Sequence, residues 1–272
     1  MNKEDYFISL FNNKFLGDDG AVIKNQVISK DLFCEGIHFK REWMSLREIA
    51  IKSILVNVSD AVVMNAKPKY ALLGIMLPKD FSFANMRELK SGFDFACSNY
   101  NITIIGGDTV AGDKLDISIT LISKTKNPIR RKGMKKGDYL AYTGDIGNVR
   151  KDLKKLLKGL KVNKKSKFTE PKLKDKFFYK ASKYISSALD ISDGLSKDLS
   201  RLSSTNKVGF KFKKNFSKEE FCSGEEYEIL FSFDKRDKQK ILSLGKLTKT
   251  PINIFATAKR GSFKSRCKGN HF

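Results

Sequence analysis

Apolar runs of strand length recur along the whole chain and are separated by segments with the period of a helix. Residues 70–77 form a continuous apolar run, residues 102–105 are predicted to form a buried strand, and residues 115–122 alternate between apolar and polar side chains. Alternation with a period of two is typical of a half-buried strand, and a continuous apolar run is typical of a buried one. Five further strands are predicted at 139–142, 188–191, 208–212, 227–233 and 252–256.

Helices are predicted between these runs. Ser45 and Glu48 form a capping box, and the apolar positions after it continue an amphipathic helix to about Ala66, just before Pro68. Further helical patterns are found at 83–100, after Asn148, after Asp193 and at 235–244. The predicted fold class is therefore α/β, with helices and strands mixed in both halves.

The balance of charge changes near the middle of the chain. Residues 1–125 contain 15 basic and 15 acidic side chains, whereas residues 126–272 contain 38 basic and 15 acidic ones and carry the whole formal charge of +23. The change coincides with a charged segment at 127–138 that contains glycine and proline. We therefore predict an N-terminal domain at 1–126 and a C-terminal α/β domain at 127–272.

An excess of positive charge is typical of nucleic-acid-binding proteins, but lysine outnumbers arginine 43 to 10. The basic segment 150–183 has few aromatic side chains before Phe177, Phe178 and Tyr179, whereas nucleic-acid sites favour arginine and stacking rings. A solvated lysine surface is the preferred interpretation, and a basic nucleic-acid-binding protein is the alternative from a different class. Four lysines of this segment are expected to be dispensable for chemistry: Lys161, Lys164, Lys165 and Lys167.

Neither export nor a membrane location is indicated by the sequence. The longest stretch without a charged residue has 13 residues, and Glu4 and Asp5 lie where a secretion signal carries basic residues. The cysteines at 34, 97, 222 and 267 form no CxxC pair, and no group of cysteines and histidines has the spacing of a complete zinc site. We expect a cytoplasmic protein with reduced cysteines.

Aspartates recur beside glycine or at the ends of apolar runs. The residues placed in this way are Asp18, Asp19, Asp31, Asp60, Asp108, Asp190 and Asp193. Ligands bind at strand ends in α/β proteins, and Mg²⁺ is held by a few carboxylates together with substrate phosphates. Each Asp-Gly alone fits a turn or a helix cap better, but the set together predicts a site for a polyphosphate and a metal ion.

The usual nucleotide-binding and catalytic motifs are absent from the sequence. It contains no GxxxxGK[ST], no GxGxxG after a strand and no protein-kinase catalytic loop. Its only histidines are His38 and His271, so no Ser-His-Asp or Cys-His system is credible. If the chain binds ATP, it does so by another architecture.

Seven segments, in order, resemble the thiamine-monophosphate kinase family, which belongs to the superfamily of aminoimidazole ribonucleotide synthetase and selenophosphate synthetase. They are GDDGAV (17–22), ISKDLFCEGIHF (28–39), NVSDAVVMNAKP (57–68), GGDT (106–109), RKGMKKGDYLAYTGDIG (131–147), ALDISDGLSKDL (188–199) and SGEEYEILF (223–231). One such motif is unspecific, but seven in the same order across nearly the whole chain are highly specific.

The resemblance implies a fold and a reaction. The N-terminal domain has flanking helices and strands that pair across a homodimer into a barrel, and the C-terminal α/β domain has a mixed sheet. ATP, as co-substrate, and Mg²⁺ are held largely by the first domain. The implied reaction is direct in-line transfer of the γ-phosphoryl group of ATP to thiamine monophosphate, assisted by several Mg²⁺ ions, which gives thiamine diphosphate and ADP.

The resemblance also implies site residues. The implied metal ligands are Asp19, Ser29, Asp31, Asp60, Asp108, Asp190 and Asp193. The implied nucleotide contacts are Gly107, Asp108, Arg131 and Ser192, and the implied thiamine-phosphate contacts are His38 and Glu225. The residues expected to act in catalysis are Asp31, Asp60, Asp108 and Arg131.

Some positions depart from the family pattern. Lys30 lies where the family usually has a threonine that contacts metal. Ser223 and Glu226 change the family's GGEDYEL, and Phe272 ends a C-terminus, KGNHF, that lacks the usual aromatic motif. These differences concern the substrate contacts more than the metal contacts.

Two residues also have a second interpretation. Considered alone, His38 fits a core histidine better than a ligand, and Arg131 fits a surface cation as well as a phosphate contact. Within the superfamily, an ATP-dependent enzyme with a different acceptor is the open alternative.

Overall fold

The computed structural model describes residues 3–11 and 13–267, and its strands form two five-stranded sheets. The first half contains α1 (Lys3–Ser9), β1 (Ala21–Ile23), β2 (Gln26–Cys34), α2 (Leu46–Val63), β3 (Lys67–Pro78), α3 (Phe83–Tyr100), β4 (Thr103–Gly112) and β5 (Asp116–Lys124). The second half contains β6 (Tyr139–Thr143), α4 (Asn148–Leu156), α5 (Asp175–Ala181), β7 (Ile185–Asp190), α6 (Leu195–Asn206), β8 (Gly209–Phe212), α7 (Lys218–Cys222), β9 (Ile229–Phe233), α8 (Lys238–Leu247) and β10 (Ile252–Lys259). This arrangement confirms the prediction of a mixed α/β fold.

The first sheet has the strand order β1-β2-β5-β3-β4 and is covered on one face by α2. Burial alternates along β5, as its sequence predicts: Ile117, Ile119 and Leu121 are buried, whereas Ser118 and Thr120 lie on the other face. Only β3 and β4 pair in parallel, and α3 connects them. The sheet therefore has one packed face and one face that no described helix covers.

The second sheet has the order β7-β9-β6-β10-β8, and all of its pairs are antiparallel. One face packs α6 into a core with Leu195, Leu199 and Phe255. The other shares a core with the first half, because α2 also contacts β7 and α5, and Phe177 and Phe231 join the same cluster. No described helix is long and apolar enough to cross a membrane.

Helix α2 begins at the predicted capping box, where Ser45 and Glu48 each cap the other's backbone. The prediction of an amphipathic helix is wrong, because elements from both halves pack around α2 and bury nearly all of its residues, including Lys52. The helix is therefore central to the molecule.

A strand does form near the predicted position 102–105, but the prediction that it is buried is wrong. It becomes the exposed edge strand β4, where Ile105 is 53% and Val110 is 52% exposed. As the last strand in the sheet order, β4 pairs only with β3 within the described chain.

Two predicted strand ends are displaced. Asp31 lies inside β2, because that strand pairs with β5 from Gln26 to Cys34. Asp108 lies inside β4, which pairs with β3 through to Gly112. Asp190, in contrast, is the last residue of β7, as expected.

The prediction that all cysteines are reduced is wrong for one pair. Cys222, at the end of α7, and Cys267 form a disulfide with 5.6 Å between their Cα atoms. They are 45 residues apart, so only the fold brings them together. Cys34 and Cys97 are free thiols. Phe272 and His271 lie outside the described residues.

Candidate active site

A cavity of about 530 Å³ is lined by residues from both halves of the chain. Nine of the twelve predicted site residues line it: Asp19, Asp31, His38, Asp60, Arg131, Asp190, Ser192, Asp193 and Glu225. Ser29, Gly107 and Asp108 are not among its lining residues. The fold therefore gathers most of a set that the sequence distributes over more than 200 positions.

Four of these residues form what we call the cavity carboxylate cluster: Asp19, Asp31, Asp60 and Asp190. Asp19 lies in the loop before β1, Asp31 on β2, Asp60 near the end of α2 and Asp190 at the end of β7. Carboxylate oxygens of Asp19, Asp60 and Asp190 all lie within 4.8 Å of one another. Loop, sheet and helix from the first half thus meet a strand end from the second.

Burial and mutual repulsion make ionisation of this cluster unfavourable. Burial, and then the charge of Asp19, raises the pKa of Asp31 to about 6. Burial, Asp19 and Asp31 raise the pKa of Asp190 to about 7, although a hydrogen bond from Ser59 opposes the shift. Burial, followed by the neighbouring carboxylates, raises the pKa of Asp60 well above its ordinary value. A bound cation would reverse these shifts.

The protein itself neutralises only part of this charge. Arg131 donates to Asp19 at 2.6 Å, and the Ser59 hydroxyl donates to Asp190 at 2.7 Å. Asp31 and Asp60 have no side-chain hydrogen bond or ion pair to another described residue. Ser29, two residues before Asp31 on the same face of β2, has a buried hydroxyl without a hydrogen-bond partner. This set of hard oxygen donors fits a divalent cation such as Mg²⁺.

Asp18 differs in role from its neighbour Asp19. Its carboxylate accepts the backbone N–H of Arg131 at 2.9 Å and a guanidinium N–H of Arg130 at 2.8 Å. It therefore fixes the segment that carries Arg131 into the cavity. Arg131 lines the cavity with its side chain 19% exposed, so it is not a simple surface cation.

The residues predicted to contact thiamine phosphate lie around Phe33. His38 stacks on that ring with centroids 5.5 Å apart, and its Nδ1 accepts the backbone N–H of Cys34. The neutral imidazole therefore carries its proton on Nε2. Glu225 accepts a hydrogen bond from Lys52, whose ammonium lies 5.5 Å from the same ring. His38 and Glu225 thus share one region of the cavity.

Two loops of the second half are held together by backbone hydrogen bonds. The N–H of Glu225 donates to the carbonyl of Ser192 at 2.7 Å, and that of Tyr227 donates to Ile191 at 3.0 Å. Glu225 and Tyr227 have positive φ angles of 55° and 50°, a conformation that non-glycine residues seldom adopt. Asp193, on the first loop, forms ion pairs with Lys197 and Arg201 on α6.

Gly107 and Asp108 lie on β4, away from the cavity in this chain. Asp108 pairs in register with Gly74 of β3, and both line a smaller hollow of about 240 Å³ with Ser118. Lys30 borders the main cavity and donates to Ser118 at 2.6 Å. Lys30 and Asp108 therefore belong to the uncovered face of the first sheet.

The basic segment 150–183 is not a uniform solvated lysine surface. Lys167 contacts Glu226 at 3.2 Å and Glu228 at 2.7 Å, and these carboxylates are 0% and 2% exposed. We call these three residues the Lys167 cluster. The expectation that Lys167 is dispensable rested on full solvation, which is wrong because the fold encloses its ammonium.

Aromatic residues of the same segment are part of the core. Phe177 and Phe178 are fully buried, and the Tyr179 hydroxyl donates to the carbonyl of Ala66 at 2.9 Å. Phe177 and Phe178 are therefore unavailable for stacking on nucleic-acid bases, so these rings give no support to the nucleic-acid alternative.

The departures at Ser223 and Glu226 have a structural explanation. Glu226 accepts the backbone N–H groups of Gly147 and Val149 at the start of α4, and the Ser223 hydroxyl donates to the same carboxylate oxygen. This buried carboxylate caps a helix that has no cap from its own N-terminal side chain.

Sequence reasoning missed several residues at or near the site. Lys52 is a fully buried cation, Lys167 is a partly buried one, and Tyr227 lines the cavity. A lysine inside the apolar helical pattern that also contains Asp60 was an available signal for Lys52. No local pattern distinguishes Lys167 from the lysines around it.

Comparison with known proteins finds relatives over most of the chain. Residues 17–125 match the family model of the AIR synthase related protein, N-terminal domain. The thiamine-monophosphate kinase of Nitrosopumilus maritimus is 33% identical over 77% of this chain and 74% of its own length. That of Buchnera aphidicola subsp. Schizaphis graminum is 30% identical over 95% and 92%. The solved structure of AaThiL complexed with AMPPCP and TMP has a TM-score of 0.88 at 24% identity, covering 99% of this chain and 96% of that one.

The family model places residues 17–125 in the class of AIR synthase related N-terminal domains. The two curated relatives narrow the assignment to one family, because they are 33% and 30% identical over 77% and 95% of the chain. The chain belongs to the thiamine-monophosphate kinase family.

Proposed function

We propose that the protein transfers the γ-phosphoryl group of ATP to the phosphate of thiamine monophosphate, which gives thiamine diphosphate and ADP. The observation that carries the proposal is a cavity with two different regions: the cavity carboxylate cluster, and the region around Phe33 with His38 and Glu225. Family membership supplies the identity of the reaction. An acceptor phosphate oxygen attacks the γ-phosphorus as the bond to the bridging oxygen of ADP breaks, so no protein nucleophile is needed.

Asp19, Asp31, Asp60 and Asp190 would hold Mg²⁺, with Ser29 and Asp193 as further oxygen donors. When bound, Mg²⁺ neutralises the facing phosphates and favours their in-line approach. The chain alone supplies an acidic pocket too repulsive to accept a polyphosphate beside a phosphomonoester, and Arg131 is a cation within it that suits phosphate oxygens. Ser192 borders the same region of the cavity and would contact the nucleotide.

The acceptor is proposed to lie beside Phe33. His38, with its proton on Nε2, would donate to the thiamine phosphate. Glu225 would accept a donor of the thiamine moiety, because one carboxylate oxygen is bonded to Lys52 and the other is hydrogen-bonded to no described residue.

We also propose that two chains pair through the uncovered face of the first sheet and its edge strand β4. Leu32, Leu72 and Val110 leave apolar surface there, and they are 59%, 39% and 52% exposed. Pairing would extend the sheets into a barrel and bring Gly107 and Asp108 of one chain to the ATP and metal site of the other. The domain boundary is proposed between 126 and 127, since each sheet is built from one side of it.

The direct test is incubation with ATP, Mg²⁺ and thiamine monophosphate, followed by chromatography for thiamine diphosphate. Asp60→Asn should abolish the product, and Asp80→Asn, which changes an exposed aspartate outside the cavity, serves as the matched control. ATP turnover only with another phosphate acceptor would replace this function by that of a different superfamily enzyme.

The dimer is tested by coexpressing Asp60→Asn and Asp108→Asn chains, each inactive alone. If Asp108 acts in the partner's site, a mixed dimer has one site with both aspartates intact and recovers activity. Absence of recovery in isolated mixed dimers would place Asp108 in its own chain's site or outside the reaction.

A further inference from the structure

Lys52 is a fully buried cation on the central helix α2, and its position is unusual for lysine. Its side chain is 0% exposed, and its ammonium lies 4.4 Å from the Phe168 ring and 5.5 Å from the Phe33 ring. Removing an ammonium from water costs several kcal/mol unless an anion and hydrogen bonds compensate for it. The fold provides that anion at 2.6 Å, as the carboxylate of Glu225.

Glu225 comes from a distant part of the chain and has a constrained backbone. Its φ angle is 55°, its N–H is bonded to Ser192, and its side chain is 19% exposed in the cavity. The ion pair therefore fixes a carboxylate that faces both the protein interior and the cavity. Without Lys52, that carboxylate would be partly buried without a counterion.

The spacing along α2 relates this pair to the carboxylate cluster. Lys52, Val56 and Asp60 are separated by four residues each, so they lie on one stripe of the helix, and Val56 and Asp60 line the cavity. Eight residues correspond to a rise of about 12 Å. One stripe of α2 thus presents a carboxylate to the metal-binding region and, about 12 Å away, a cation to Glu225.

We infer that Lys52 is a positioning residue that orients Glu225 towards the thiamine monophosphate acceptor. This inference rests on the proposed function. Because the pair is neutral overall, Glu225 recognises the acceptor through the hydrogen-bonding oxygen that Lys52 leaves available rather than through a net negative charge. Loss of Lys52 is therefore expected to weaken acceptor binding and leave Mg²⁺-ATP binding unchanged.

The test measures binding of thiamine monophosphate and of Mg²⁺-ATP by calorimetry, together with steady-state kinetics. Lys52→Met should weaken acceptor binding at least about tenfold and raise the acceptor KM more than it lowers kcat, while Mg²⁺-ATP affinity changes less than about twofold. Lys238→Met, at an exposed lysine on α8, is the matched control and should behave as wild type.

A double-mutant cycle separates positioning from a structural role. Glu225→Gln and Lys52→Met/Glu225→Gln should have equally weak acceptor binding, because Lys52 acts through Glu225. The double variant should melt at a higher temperature than Lys52→Met, since it no longer buries an unpaired carboxylate, yet its acceptor affinity should not recover. If Lys52→Met does not fold, the double variant is compared with Glu225→Gln for acceptor binding instead.

Wild-type acceptor affinity in Lys52→Met, equal losses for acceptor and Mg²⁺-ATP, or additive losses in the double variant would each overturn the inference. Wild-type protein that binds Mg²⁺-ATP but not thiamine monophosphate would instead overturn the proposed function, and this inference with it. The two failures are thus distinguished by the behaviour of the wild type.

Discussion

The cavity carboxylate cluster and the Lys167 cluster are both acidic and buried, but only one is neutralised by the protein. Both carboxylate oxygens of Glu226 and both of Glu228 accept hydrogen bonds, from Lys167, Ser223, Thr143 and backbone N–H groups. In the cavity, Asp31 and Asp60 have no side-chain partner among the described residues. The satisfied carboxylates of the Lys167 cluster stabilise the fold, whereas the unsatisfied ones of the cavity carboxylate cluster favour a bound ligand.

Burial alone does not make this distinction. Burial raises the pKa of Glu228 too, and Lys167 is the largest opposing influence. For Asp60, the largest influences after burial are other carboxylates, which add to the shift. The informative difference is therefore the sign of the nearest charge.

The largest expected effect is on activity. Asp60→Asn should lower thiamine diphosphate formation at least about a hundredfold, because it removes one of the carboxylates proposed to hold the Mg²⁺ that offsets the phosphate charge. The same change should not lower the melting temperature of metal-free protein, since it relieves repulsion. Near-normal turnover at saturating Mg²⁺ would mean that Asp60 does not belong to the site. The proposed difference between the cavity carboxylate cluster and the Lys167 cluster would then be wrong.

The second effect is on stability. Lys167→Met should destabilise the protein by about 3 kcal/mol, because it leaves two buried carboxylates without their cation. Lys161, Lys164 and Lys165 changed together to Gln should shift the free energy of unfolding by less than about 1 kcal/mol. Urea denaturation of both variants decides the matter, and equal stabilities would mean that Lys167 is solvated like its neighbours.

The third effect is stabilisation by metal. At ten times its dissociation constant, Mg²⁺ should stabilise the wild-type protein by about 1.4 kcal/mol and raise its melting temperature by a few degrees. Asp190→Asn should reduce this rise. Lys167→Met should show the same rise with Mg²⁺, although its melting temperature without Mg²⁺ should be lower than that of the wild type. A rise that persists unchanged in Asp190→Asn would place the binding ion elsewhere.

The fourth effect is on the pH dependence of stability without metal. The raised pKa values of Asp31 and Asp190, about 6 and about 7, mean that the folded protein binds more protons than the unfolded chain at mildly acidic pH. Their stabilising contribution is thus present below about pH 4 and lost as the pH rises to about 7. Melting curves in chelator should show this loss, which Asp190→Asn should reduce; a flat profile common to both would contradict it.

Part of the site was predictable because its residues have local signatures. Asp190 follows an apolar run that becomes β7, and Asp60 lies in the helix that begins at the capping box of Ser45 and Glu48. The strand at 115–122 was predictable for a similar reason, because its period of two reflects one buried face. Such patterns depend on neighbouring residues alone.

Other features depend on partners far away in the sequence. Asp31 and Asp108 lie inside strands because pairing with β5 and β3 extends those strands beyond their apolar runs. Cys222 and Cys267 form a disulfide because α7 and the segment after β10 meet. Neither local spacing nor composition contains that information.

The sequence by itself determined the α/β class, most helices and strands, the family and the identity of most candidate ligands. Only the tertiary structure decided which charges are neutralised, because neutralisation depends on distances between residues more than 50 positions apart. Lys167 reaches Glu228 and Lys52 reaches Glu225, while no described side chain forms an ion pair with Asp60. An ion pair stabilises a buried charge only when the two charged groups lie within a few ångströms of each other. The packing of α2, the two sheets and their loops determines which groups come that close.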